Sequence, residues 1–96
     1  MADPIAVAAG TGDVQVRAKA GRLHGYSARE SATVPAAATF ILRDGTSTAG
    51  EQLVVVEIAA NASDTRSFDD PIEFGTGLFL DRVAGETEVT VFVTGM

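Results

Sequence analysis

"EQLVVVEIAA", residues 51–60, is the most apolar run of the chain, and its reading decides the fold class. Val54, Val55, Val56 and Ile58 are β-branched and stiff at χ1, which at this length favours a strand over a helix. Apolar side chains at consecutive positions would face both sides of a sheet, so the run is expected to be a central, well-covered strand.

The same period of two extends outward from it in both directions. Upstream, "TFILRDG" (39–45) puts Phe40 and Leu42 on one face and ends in an Asp44-Gly45 turn. "RLHGYSARE" (22–30) alternates less cleanly. In "DVQVRAKA" (13–20), Val14, Val16, Ala18 and Ala20 point one way while Gln15, Arg17 and Lys19 point the other. Ser31 to Ala38 connects two strands, and "VPAAATF" supports at most one helical turn because it follows a proline and stops at a strand. Downstream, "NASDTRSFDDPIEFGTG" (61–77) is rich in turn formers. Its Pro71 cannot donate to a ladder, so short or edge strands are expected around 66–68 and 72–74. "GLFLDRV" and "ETEVTVFV" then flank Ala84-Gly85 as an expected hairpin. Val89, Val91 and Val93 face inward there, and Glu88, Thr90 and Thr94 face out. These patterns predict an all-β, single-domain β-sandwich or small jelly roll of seven or eight short antiparallel strands, with little or no helix. The domain is expected over 13–96, with residues 1–12 as an amino-terminal arm.

Ninety-six residues suffice for one core and no more. The absence of cysteine removes disulfides and thiolate metal sites, so stability must come from apolar burial, aided by association. Thirteen acids against seven bases, a net charge of −6, argue against a nucleic-acid partner, which requires clustered cations. No apolar stretch has the length of a membrane helix, and "MADPIAVAAG" lacks the basic and long apolar regions of a signal peptide. Neither a membrane partner nor a secretory leader is expected.

Reactive constellations are sparse. His24 is the only histidine, so a nucleophilic triad would have to combine it with Ser27, Ser31 or another hydroxyl, and no strained G-x-S-x-G turn accompanies it. Asp64, Asp69, Asp70 and Glu73 form the densest acidic group; carboxylates in loops suit calcium, but the spacing is not that of an EF-hand, and such residues also build turns. The paired glycines of "GTGDV" and "GTGLF" lead into strands rather than helices, so they read as turn glycines and not as a phosphate cradle. No catalytic residue, cofactor or metal is assigned. The outward positions Arg22, His24, Tyr26, Arg29, Arg43 and Phe92 are instead expected to form a contact surface. Tyr26 and Phe92 would either anchor a partner or plug the ends of the sandwich.

In order, "GRLHGYSARES", "FILRDGTSTAGEQL" and "PIEFGTGLFLDRVAGETEVTVFV" resemble the small β-sandwich virion proteins of tailed bacteriophages that decorate or cement the capsid, over about residues 21–94. The resemblance implies a non-enzymatic structural protein, made in the host cytoplasm and carried on the capsid exterior. It would bind the major capsid protein, associate with itself as a homotrimer and stabilise the shell. The alternatives are a carbohydrate- or cell-surface-recognition module, for which the aromatic supply is thin, and a tail or head–tail joining component.

Overall fold

The computed structural model describes residues 3–8 and 12–95. Eight strands follow one another along the chain: β1 (Asp3–Val7), β2 (Val14–Arg17), β3 (Gly21–Glu30), β4 (Ala38–Asp44), β5 (Glu51–Ile58), β6 (Ser63–Phe74), β7 (Leu78–Ala84) and β8 (Thr87–Gly95). No helix occurs among the described residues. The strands form two four-stranded antiparallel sheets, ordered β1-β8-β3-β6 and β2-β7-β4-β5. With the chain passing between sheets at nearly every turn, this order is that of an eight-stranded jelly roll.

Both inner faces are predominantly apolar, which is why they close on each other. Leu23, Tyr26, Ala28, Val89, Val91, Val93 and Phe74 from the first sheet meet Phe40, Leu42, Val54, Val56, Ile58, Leu78 and Leu80 from the second. The inward sets expected from "TFIL" and "EVTVFV" are those found.

Four expectations change. The first is the amino-terminal segment read as an arm, part of which is β1, paired with β8 from Asp3↔Val93 to Val7↔Val89. Ile5 and Val7 supply the inward face of that strand. The rest of the expected arm, residues 1–2 and 9–11, lies outside the described residues. The second is β5, which stands at the edge of its sheet and pairs only with β4, although its composition reads as a central strand. The third is β7 and β8, which form no hairpin because they belong to opposite sheets. Their inward faces are both apolar and pack across the core, so the chain turns a corner at Gly85. There φ is +73°, and a Cβ would lie 2.7 Å from that of Ala38. The fourth is the segment 61–77, expected to hold short or edge strands around 66–68 and 72–74: it is a single twelve-residue strand, β6, bulged in its middle, and it does stand at the edge.

Candidate functional site

The outer faces of the two sheets are unlike. On the β1-β8-β3-β6 sheet, alternation turns out Glu88, Thr90, Phe92 and Thr94 from β8 and Arg22, His24, Ser27 and Arg29 from β3. Cross-strand pairing joins these groups. Arg29 Nε donates to Glu88 Oε2 at 2.7 Å, and Arg22 lies 3.4 Å from Glu73. His24 Nε2 is 2.8 Å from Thr94 Oγ1, and the Ser27 and Thr65 hydroxyls are 3.1 Å apart. Glu88 holds the Arg29 guanidinium even more firmly protonated through their hydrogen bond and opposite charges, and the same pair lowers the Glu88 carboxyl. A shallow concavity of about 480 Å³ opens on this face, lined by Ser27, Arg29, Ser63, Thr65, Glu88 and Thr90 among others. Phe92 is half-buried, with Pro4 of β1 and Gly25 of β3 as its cross-strand neighbours. Gly25 is required there: a Cβ would come within 2.3 Å of the Arg66 carbonyl oxygen, where β6 bulges toward β3.

Arg22, His24, Arg29 and Phe92 are thus gathered on one face, and Tyr26 and Arg43 are not. Tyr26 is a core residue rather than a contact residue, 2% exposed. The register shift between Leu23 and Gly25 inserts one extra residue at His24, so side chains after it change face. Tyr26 packs edge-on against Phe40 at 6.1 Å and beside Phe68 at 6.4 Å, and its hydroxyl donates to Asp64 Oδ2 at 2.6 Å. Burial, then the Asp64 hydrogen bond and charge, push the phenol up to about 12, against a smaller opposing effect of Arg66. Arg43 lies on the outer face of the other sheet, where Nε donates to Asp81 Oδ2 at 2.9 Å and Nη1 to the Gly50 carbonyl at 2.9 Å. Both members of this pair are largely desolvated, at 14% and 12% side-chain exposure. Around it stand Ile41, Val55, Phe79 and Val83, an apolar patch with one ion pair set into it, and Thr39 and Glu57 lie toward one end of the same face.

The acidic group does not assemble. Asp64 receives the Tyr26 hydroxyl while Asp69 and Asp70 lie exposed in the β6 bulge. Among the described residues, no three His, Cys, Asp or Glu side chains come together as a metal ligand set. His24 faces a threonine hydroxyl, and Ser27 bonds across to β6.

Three charges to which the sequence assigns no such role organise the loops. Asp44 accepts from the amides of Gly75, Thr76 and Gly77 at 2.9, 3.0 and 3.4 Å. The turn of "GTGLF" leads into β7 as expected, and its amides also hold an internal carboxylate, keeping the Asp44 carboxyl below the usual range. At the opposite end, Glu30 accepts from Ala32 N at 2.6 Å and Asn61 N at 2.8 Å, and these amides lower its carboxyl likewise. Asn61 sits at φ +60°, the left-handed conformation that Asn tolerates. Arg82 points inward from β7 and donates to the carbonyls of Ala8, Gly12 and Thr87 and to Thr87 Oγ1 at 2.7–2.9 Å, joining the β1–β2 connection to the corner before β8.

No protein-family model, characterised protein or solved structure matches this chain.

Proposed function

We propose that this protein is a non-enzymatic structural component of a virion, a decoration or cement protein that lies on the capsid exterior and stabilises the shell by binding its major capsid protein. The observation that supports this reading most is the outer face of the β1-β8-β3-β6 sheet. It is broad and shallow, framed by cross-strand ion pairs and hydroxyls, and carries one half-buried aromatic, Phe92. Such a face suits a protein contact, in which an aromatic anchor is ringed by polar groups that exclude water. By analogy of fold, the jelly roll also suits capsid architecture. The experiment is co-sedimentation with undecorated shells from the same source. The wild-type chain is expected to pellet to a saturating stoichiometry, and Phe92→Ala, which touches no core contact, to lower the apparent affinity at least roughly ten-fold. A chain that stays in the supernatant at all concentrations would remove the decoration reading.

A second reading rests on the concavity itself, whose Ser27, Ser63, Thr65 and Thr90 hydroxyls offer donors and acceptors of the kind that hold a saccharide. Jelly rolls also serve as lectin domains. NMR titration with a panel of oligosaccharides addresses it; shifts confined to β3, β6 and β8 would move recognition ahead of decoration.

A further inference from the structure

The run that reads as a central strand stands at an edge, with a neighbour on one side only. A jelly roll of this order exposes four edges, β1, β6, β2 and β5. Exposed edges normally carry a device that blocks further pairing, such as proline, a bulge, clustered charge or short length. Three of these edges do. β1 contains Pro4, β2 is four residues long with a register shift, and β6 is interrupted by a bulge bearing Asp69, Asp70 and Pro71. β5 differs. Its register shift against β4 falls at Leu53, near its start. Beyond that point Val54–Ile58 is regular and holds no proline, glycine or basic residue. Val55, on the outer face, is 51% exposed, one of few large apolar side chains left open.

The geometry points to a second copy of this chain as the occupant, with β5 pairing antiparallel to β5 about a twofold axis at Val56. That register uses the whole regular segment and avoids the bulge. It sets Val56 opposite its own copy and Val54 opposite Ile58, all three inward-facing residues of β5, so the two cores become continuous along the sheet edge. On the outer face it sets Val55 opposite Glu57 of the second copy, twice by symmetry, and leaves no acid facing an acid across the seam. The acidic chain thus meets itself without direct charge opposition. The result is a single eight-stranded sheet spanning two jelly rolls, a twofold arrangement in place of the threefold one that the resemblance implies.

This pairing belongs to the free protein, so it stands or falls separately from shell binding. The test is sedimentation equilibrium of the full chain from micromolar to millimolar concentration. A monomer–dimer equilibrium is expected. Val55→Glu puts an acid opposite Glu57 at two places in the seam and is expected to raise the dissociation constant at least roughly ten-fold. Val55 is half exposed, so the substitution opens no core cavity, and circular dichroism checks that the fold persists. Val55→Glu combined with Glu57→Lys converts both repulsions into ion pairs and is expected to restore dimerisation. A monomer throughout, a trimer, a dimer indifferent to Val55→Glu, or a failure of the charge exchange to restore association would each overturn the proposal.

Discussion

Replacing Asp44 tests how one carboxylate fixes an end of the sandwich. Its oxygens take three amides from Gly75–Gly77, two at 2.9 and 3.0 Å and one, at 3.4 Å, near the limit of a useful bond. A hydrogen bond to a charged group contributes roughly 1.5–3 kcal/mol net, but water can reach the first two amides in the variant, so the total for Asp44→Ala is about 2–3 kcal/mol rather than three times that range. For a domain of this size that corresponds to a midpoint lowered by roughly 8–24 °C. Asp44→Asn keeps an acceptor and loses the charge, and should cost about half as much. The sign of the pH dependence follows from the lowered carboxyl. Because the folded value lies below the ordinary 3.8, the contribution is complete above the unfolded value and is lost as pH falls through the folded one. Urea titrations followed by circular dichroism at neutral pH and through the acid limb measure both quantities. Asp44→Asn should trail wild type at neutral pH and converge with it in acid. A loss below about 0.5 kcal/mol for Asp44→Ala, or a gap between Asn and wild type that does not narrow in acid, would refute the cradle as a stabilising device.

Two further substitutions probe the interior. Tyr26→Phe keeps both ring contacts and removes the hydroxyl from Asp64, with an expected cost of about 1 kcal/mol by chemical denaturation. In the wild-type protein the phenol remains protonated to about 12, so ultraviolet titration should show no phenolate near the ordinary value of 10 while the chain is folded. Since that value is raised, the contribution is intact below 10 and declines as pH rises from there toward 12. Arg82→Ala strands the carbonyls of Ala8, Gly12 and Thr87 and should cost about 1–3 kcal/mol, with the earliest gain in amide exchange at β1 and at the start of β8. Uniform loosening of both sheets would argue against a local clamp.

The all-β class and the inward sets of β4 and β8 were legible because alternation needs only local sequence. Phe40 and Leu42, like Val89, Val91 and Val93, face the core as period two requires. What failed depends on partners distant in the chain. A bulge at His24 forms where β3 meets the interrupted β6, and its parity change carries Tyr26 inward; no signal inside "RLHGYSARE" marks it. A short turn such as Ala84-Gly85 serves a hairpin or a corner equally well, since both turn an apolar face of each flanking strand inward, and only the distant partners of β7 and β8 separate the two. Four of the six expected contact residues share a face, whereas Arg43 is committed to Asp81, thirty-eight residues away. Asp44 and "GTG" were each visible as turn elements, but their pairing was not, since nothing local links an acid in one turn to amides in another.

The position of β8 has a consequence for the order of assembly. The last of the eight strands lies between β1 and β3, the first and second strands of its own sheet to be synthesised, and pairs with both. Until residues 87–95 have emerged, β1 has no ladder partner and the Leu23–Tyr26–Ala28 side of the core lacks Val89, Val91 and Val93. Only the β4–β5 hairpin, with neighbouring strands in one sheet, can form as a local unit during translation. The remaining pairings are all non-local, from β4–β7 and β3–β6 in the middle of the chain to β1–β8 across nearly its whole length, which places this small domain among slow folders. A nascent chain stalled before β8 would hold out apolar sheet faces and the β3 edge that β8 later covers, and in that interval this edge, together with that of β5, is open to a neighbouring ribosome's product.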